Sequence, residues 1–224
     1  MARTLPWLLA LALAFLAPPL GAEQNASPGI NHPYADPDQW RGVFEREGRE
    51  IWDRRADIIR HLRLQPGQQV ADVGAGTGFF SVLMAQEVGD RGRVYAVDIA
   101  RSFVEASVQR ALAQGLKNVV GVVNDPYSVQ LPPASIDLVF ISDTYHHFEY
   151  PQSTLHSIYS ALRSGGELVV IDFRRSPGRS SPWVLGHVRA GESRVIAEIE
   201  AAGFALTERL DFMQTQYYLR FRKR

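Results

Sequence analysis

The chain has 224 residues, of which 24 are basic, 24 are acidic and none is cysteine. Its length predicts a single domain, or one domain with a short extension, that can bury a sizeable core. The balanced charge gives no sign of a nucleic-acid partner, and the lack of cysteine excludes disulfides, thiolate zinc sites and cysteine nucleophiles.

Residues 1–22 have the pattern of a secretory signal peptide. Arg3 precedes an apolar run at residues 7–17, and small residues precede an expected cleavage after Ala22. The apolar run is shorter than the ~20 residues that a membrane-spanning helix needs. We therefore predict an exported protein, periplasmic or secreted, with no stable membrane insertion after cleavage.

Residues 23–64 are predicted to form an N-terminal arm and a helix. Residues 23–38 are rich in Asn, Pro, Gly and Asp, whereas residues 40–64 repeat apolar side chains on one helical face. The aromatic residues Tyr34 and Trp40 either cover a pocket as a lid or pack the helix onto the sheet. The sequence leaves both roles open.

The main domain, residues 65–224, begins with the sequence Val-Ala-Asp-Val-Gly-Ala-Gly-Thr-Gly at residues 70–78. This pattern predicts a short buried strand and a glycine loop, followed by a helix at residues 79–88. The glycines let the backbone approach a ligand, and the N–H groups that begin the helix favour a carboxylate or phosphate. The strand, glycine loop and helix together predict a pocket for a nucleotide-type ligand.

The rest of the chain alternates strands with helices, which indicates a mostly parallel sheet covered on both faces. Ligands of such α/β sheets bind outside the carboxyl ends of the strands. Four aspartates fall at these ends of successive predicted strands: Asp72, Asp98, Asp125 and Asp143. Asp98 also lies 20 residues beyond Gly78, where a ribose-binding carboxylate is expected. Two further strands, at residues 204–209 and 214–222, close the chain as a hairpin.

In combination these motifs resemble the class I S-adenosylmethionine-dependent methyltransferases. The resemblance rests on four segments, at residues 70–78, 94–98, 137–140 and 162–168. It implies a Rossmann-like α/β fold, with a seven-stranded, mostly parallel sheet whose final strand is reversed. It also implies S-adenosyl-L-methionine as the cofactor. The G-x-G-x-G spacing, with an acid two residues before it, suits a cationic ligand better than a pyrophosphate.

The resemblance assigns cofactor contacts to residues of this chain. Asp72 would hold the methionine end together with the loop, which comprises Gly74, Ala75, Gly76, Thr77 and Gly78. Asp98 would bind the ribose hydroxyls, and Ile99 would cover the adenine face. Either Asn124 or Asp125 would reach the adenine amino group, and the spacing does not decide between them. Asp143 is placed at the border of the cofactor and the acceptor.

The segment after the fourth strand is predicted to carry the catalytic residues Asp143, Tyr145, His146 and His147. A histidine with a pKa near 6.5 can remove a proton from an oxygen, nitrogen or activated carbon acceptor. The alternative is that such a histidine packs against the next helix or caps it. Since neighbouring loop residues point in different directions, we expect only one of the two histidines to face the pocket.

A metal held by Asp143, His146, His147 and His187 is the lesser alternative. The ligand spacing of metal-dependent oxygen methyltransferases is not matched, so we predict no metal. The function predicted is methyl transfer to a small-molecule acceptor by an exported enzyme. Because the cofactor is made in the cytosol, an exported non-catalytic binding protein that keeps the pocket is one alternative. A protein side-chain methyltransferase is another.

Overall fold

The computed structural model describes residues 36–224. The predicted signal peptide and most of the predicted arm, including Tyr34, lie outside the described residues. The helices are α1 (Pro37–Phe44), α2 (Glu50–Asp53), α3 (Arg55–Leu62), α4 (Phe79–Val88), α5 (Arg101–Ala113), α6 (Pro151–Ala161), α7 (Pro182–His187) and α8 (Glu192–Ala201). The strands are β1 (Gln69–Val73), β2 (Arg93–Asp98), β3 (Val119–Val123), β4 (Ile136–Ser142), β5 (Leu162–Phe173), β6 (Phe204–Leu210) and β7 (Gln216–Lys223).

The seven strands form one sheet in the order β3-β2-β1-β4-β5-β7-β6. The first five strands in this order are parallel, and β7 runs antiparallel to both of its neighbours. The predicted Rossmann-like fold with a reversed final strand is therefore confirmed. The strand order reverses between β1 and β4, and this is where ligands of such sheets bind.

Apolar side chains on both faces of the sheet hold the helices. Along β4, Val139 and Ile141 belong to one buried cluster, while Leu138 and Phe140 belong to the other. The first cluster includes residues of α6 and α8, and the second includes residues of α3 and α4. This alternation follows from the two-residue period of a strand. The parallel pairing of β1 with β4 places the carboxyl ends of these two strands side by side.

The prediction of one helix over residues 40–64 is wrong, because the structure breaks it into α1, α2 and α3. The main break is at Gly48, whose φ of +83° favours glycine. Its N–H donates to the Asp53 carboxylate at 3.1 Å. Arg49 then donates to the carbonyl of Phe44 at 2.7 Å, which turns the chain back after α1.

Two local elements were not predicted. After the predicted polar loop at residues 174–181, α7 begins with Ser181, whose hydroxyl accepts a hydrogen bond from the N–H of Val184. A 3-10 helix, Tyr145–His147, follows β4. In residues 36–224 no helix is both long and apolar enough to span a membrane.

Candidate active site

A cleft of about 990 Å³ opens at the carboxyl ends of β1 and β4. This volume is at the upper end of the ~300–1,000 Å³ that is usual for small-molecule sites. The cleft brings together most of the predicted cofactor residues, namely Asp72, Gly74, Ala75, Gly76, Thr77, Asp98, Ile99, Asn124, Asp125 and Asp143. Gly78 is the one predicted cofactor residue that does not line it.

The glycine loop is built so that larger residues cannot replace its glycines. Gly74 has a φ of +76°, and a Cβ there would lie 2.2 Å from Cγ2 of Thr144. Gly78 has a φ of +72°, and its Cβ would lie 2.6 Å from the Cα of Ser107 on α5. Gly78 therefore serves the packing of α4 against α5, which positions the loop without lining the cleft.

Asp98 connects the end of β2 to the glycine loop. One carboxylate oxygen accepts a hydrogen bond from the N–H of Gly76, and the other accepts one from the N–H of Ala100, both at 2.9 Å. Burial raises the pKa of Asp98, and these hydrogen bonds oppose that shift. The carboxylate faces the cleft from a fixed position, as a ligand for hydroxyl groups must.

Asp72 is buried beneath the loop, where its carboxylate accepts a hydrogen bond from the Ser81 hydroxyl at 2.6 Å. Burial raises the pKa of Asp72 to about 7, and the nearby charge of Asp98 adds to the rise. A cation in the cleft would favour the ionised form of Asp72. The position therefore suits a cationic ligand better than an anion.

The two residues that follow β3 differ in what their side chains do. The Asp125 carboxylate accepts hydrogen bonds from the N–H groups of Tyr127 and Ser128, both at 2.8 Å, and these lower its pKa. Asn124 donates through its side-chain amide to the carbonyl of Asp125 at 2.9 Å. Both line the cleft, as does the half-exposed Ile99.

The N-terminal helices form a wall of the cleft that the sequence did not predict in detail. Trp40, Val43 and Phe44 line the cleft, and Phe44 lies against Gly76. Glu45 fixes this wall to the main domain.

One Glu45 carboxylate oxygen accepts from the Thr77 hydroxyl at 2.7 Å and from Nη1 of Arg110 on α5 at 2.5 Å. The other oxygen accepts from Nη2 of Arg110 at 2.8 Å. We refer to Glu45, Thr77 and Arg110 as the clamp. Its members are too far apart in sequence to have been found from any pattern.

Asp143 follows β4 directly and lines the cleft. It has a φ of +48°, and its carboxylate accepts a hydrogen bond from Arg49 at 2.8 Å. Burial raises the pKa of Asp143 to about 6, although the Arg49 guanidinium opposes the shift. Sequence reasoning missed Arg49, which balances much of the charge of Asp143.

The expectation that only one histidine faces the pocket is wrong, because both His146 and His147 line the cleft. The 3-10 helix places their ring centroids 4.1 Å apart, with the ring planes tilted by 44°. His146 is held by Asp172, which accepts from its backbone N–H at 3.0 Å and lies 2.8 Å from its Nδ1. Burial lowers the pKa of His146, but the Asp172 carboxylate and the charge of Asp143 together raise it overall.

Tyr145 does not line the cleft. Its ring is fully buried, and its hydroxyl donates to the Glu198 carboxylate on α8 at 2.9 Å. Burial and the Glu198 charge both raise the pKa of Tyr145. Because the hydroxyl faces α8 and is held as a donor, the structure gives Tyr145 a packing role where the sequence suggested a catalytic one.

His187, at the end of α7, also reaches the cleft and lies beside the other two histidines. The centroid of its ring is 5.1 Å from that of His146 and 5.0 Å from that of His147. The His187 ring also stacks on the Trp183 ring, with centroids 4.4 Å apart. The cleft thus has a cofactor end, around the glycine loop, and an end that we call the histidine end, formed by His146, His147 and His187.

A family model described as "Methyltransferase domain" matches residues 64–216 of the chain. The chain belongs to the S-adenosylmethionine-dependent methyltransferase family. The predicted family and cofactor class are thereby confirmed.

The chain is similar to curated methyltransferases, of which two examples follow. It is 32% identical over 126 residues to a ubiquinone/menaquinone biosynthesis C-methyltransferase of Hydrogenovibrio crunogenus, covering 56% of this chain and 49% of the relative. It is 29% identical over 134 residues to phosphoethanolamine N-methyltransferase 1 of Zea mays, covering 59% of this chain and 26% of the relative. The matches thus span about half or less of the length of these relatives.

Solved structures share the methyltransferase's fold. A SAM-dependent methyltransferase from Aquifex aeolicus superposes with a TM-score of 0.74 at 23% identity, covering 84% of this chain and 98% of the other. The [4+2]-cyclase SpnF superposes with a TM-score of 0.66 at 19% identity, covering 80% of this chain and 84% of the other. At these identities the likeness shows the fold alone, and the second example shows that the fold also carries other chemistry.

Proposed function

We propose that this methyltransferase transfers the methyl group of S-adenosylmethionine to a small-molecule acceptor bound at the histidine end of the cleft. One observation carries the proposal: a single cleft holds the glycine loop with Asp98 and also the three histidines. Its volume of about 990 Å³ provides room for two small molecules together. The two curated relatives described above are named for small-molecule methylation, which supports an acceptor of that class.

The proposed reaction is an in-line displacement at the methyl carbon. The acceptor atom forms a bond to this carbon while the carbon–sulfur bond breaks, and S-adenosylhomocysteine leaves as a neutral thioether. The protein contributes mainly by holding the two reactants in line. An acceptor that carries a proton on its oxygen, nitrogen or activated carbon must also lose that proton, and the histidine end supplies the groups that favour this loss.

A protein side chain as acceptor is the weaker candidate. The helices α1 and α2 and the residues before α7 contribute to the walls of the cleft, so the acceptor must enter a pocket rather than lie on a flat surface. An exported binding protein without turnover is the remaining alternative, and the intact Asp72, Gly74, Gly76 and Asp98 support ligand binding in both cases. Measurement of methyl transfer distinguishes the proposed enzyme from the binding protein.

The experiment is calorimetric titration of S-adenosylmethionine and S-adenosylhomocysteine into the purified protein. We expect micromolar binding of both, and a loss of at least about tenfold in Asp98→Ala, because a group that hydrogen-bonds a hydroxyl is worth about 1.5–3 kcal/mol when charged. Asp90→Ala is the matched control, since Asp90 is exposed and does not line the cleft.

Methyl transfer from labelled cofactor to a panel of small hydroxyl, amine and quinone-type acceptors then tests turnover. Labelled product would establish the enzyme. Binding without any labelled product across the panel would favour the binding protein, and the absence of binding by a folded protein would refute the proposal.

A further inference from the structure

The histidine end is more than a pair of loop histidines. One ring nitrogen from each of His146, His147 and His187 lies within 4.8 Å of the corresponding nitrogens of the other two. The three residues come from two separate elements, since His187 follows His147 by 40 positions and ends α7. No pattern in the sequence joins them, so the spacing argument against a metal did not test this arrangement.

The contacts of His146 are those of a metal-binding histidine. Its side chain is only 3% exposed, and its Nδ1 is held by the Asp172 carboxylate at 2.8 Å. Its other nitrogen, Nε2, is buried and makes no hydrogen bond within residues 36–224. Histidines that bind metals commonly use one nitrogen for the ion and the other for a carboxylate, which fixes the ring and makes the ligand more basic.

Charge also favours a cation at this place. Asp172 is 1% exposed, and in the described part of the chain its one recorded ion-pair partner is His146. A buried carboxylate without a cation is costly. Asp143, which contributes further negative charge nearby, is already paired with Arg49. Either a proton on His146 or a metal ion bound to it would balance Asp172.

We propose that His146, His147 and His187 bind one divalent transition-metal ion, with zinc the first choice, and that Asp172 is the positioning residue for His146. Three neutral imidazoles with a fourth position open to substrate form a known catalytic type of zinc site. Imidazole ligands also suit copper, nickel and iron. A tetrahedral ion with metal–nitrogen distances of about 2.1 Å separates its ligand atoms by about 3.4 Å, so the rings close by roughly 1 Å on binding.

The site faces the cleft, and its role there rests on the proposed function. An acceptor hydroxyl in the fourth position loses its proton to solvent, because the ion lowers the pKa of a bound O–H group. The acceptor oxygen then attacks the methyl carbon, and the carbon–sulfur bond breaks as described above. The histidines act in this scheme as ligands, and none of them is required as a free base.

The test is metal binding by the protein purified without a polyhistidine tag and freed of metal with a chelator. Zinc is titrated by calorimetry and cobalt(II) by visible absorption, both without the cofactor. We expect one equivalent of zinc, and cobalt bands of a four-coordinate ion. Zinc affinity should fall more than about 100-fold in His187→Ala and about 10- to 100-fold in Asp172→Asn. The Asn carbonyl can keep one of the two backbone N–H bonds that Asp172 accepts, which come from His146 and Phe173.

His156→Ala is the matched control, because His156 is exposed on α6 and does not line the cleft. The titration of S-adenosylhomocysteine into His187→Ala checks that the variant is folded. Zinc binding that is absent, or that is equally strong in His187→Ala and the native protein, would overturn the proposal. Failure of the proposed function would appear separately, as a normal zinc titration with no cofactor binding or no turnover.

Discussion

The clamp of Glu45, Thr77 and Arg110 predicts how α1 is held over the cofactor end of the cleft. No residue of α1 is fully buried, so its apolar contacts alone give limited stability. The Glu45 side chain is 7% exposed and that of Arg110 is 18% exposed. Glu45→Ala removes three hydrogen bonds, of 2.5, 2.7 and 2.8 Å, and leaves both partners without this acceptor.

The magnitude follows from these contacts. A hydrogen bond to a charged group contributes about 1.5–3 kcal/mol, but Arg110 is exposed enough for water to replace part of the loss. We therefore expect Glu45→Ala to lower the free energy of opening of α1 by about 2 kcal/mol. Since 1.4 kcal/mol corresponds to a factor of ten, the open state becomes about 30-fold more populated.

Hydrogen–deuterium exchange of the segment at residues 37–46, followed by mass spectrometry, measures this opening. Exchange there should be about 30-fold faster in Glu45→Ala, and nearly unchanged over β4. Asp38→Asn is the control on the same helix, because the Asp38–Arg41 pair is exposed and 3.4 Å long. Unchanged exchange in Glu45→Ala, or an equal rise in Asp38→Asn, would refute the role of the clamp.

Three further predictions concern stability and location. Because Asp72 has a folded-state pKa of about 7 against an unfolded value near 4, the folded protein keeps a proton that the unfolded chain releases. The Tm of the native protein should fall as the pH rises from about 4 to about 7. The Tm of Asp72→Asn should fall less over this range, and parallel Tm–pH profiles of the two proteins would contradict the prediction. The Arg220 side chain is 3% exposed and donates hydrogen bonds to Glu167, to the Tyr218 hydroxyl and to two carbonyls at the end of α3. Arg220→Met should therefore lower the Tm by about 10 °C. The control Arg222→Met, at an exposed position, should change the Tm little. We also propose export, with cleavage after Ala22. Cell fractionation and N-terminal sequencing test this, and an intact N-terminus in the cytosol would contradict it.

Local patterns explain why much of the fold and the cofactor end could be predicted. The bounds of α4 agree at both ends with the prediction, because a strand, a glycine loop and a helix are specified by adjacent residues. Asp98 was found for the same reason. The family resemblance supplied the seven-stranded sheet with its reversed final strand, which local patterns do not contain.

The rest of the site depends on contacts between distant residues. Arg49 and Asp143 are 94 positions apart, and Glu45 and Arg110 are 65 positions apart, so no spacing rule connects them. His187 was noticed, but α7 was not predicted, since its six residues are too few to show a helical period. Tyr145 was assigned to catalysis because it adjoins the histidines, whereas tertiary packing turns its hydroxyl toward Glu198.

The position of β7 has a consequence for the order in which the sheet can be completed during synthesis. β6 pairs with β7 alone, and β7 lies between β5 and β6. When the ribosome has made β6, the strand β7 with which β6 pairs is still missing. The edge of β5 that will pair with β7 is also unpaired at this stage. Both edges stay open until Gln216–Lys223 has emerged, and an open apolar edge is where a nascent chain is most prone to aggregate or to bind a chaperone.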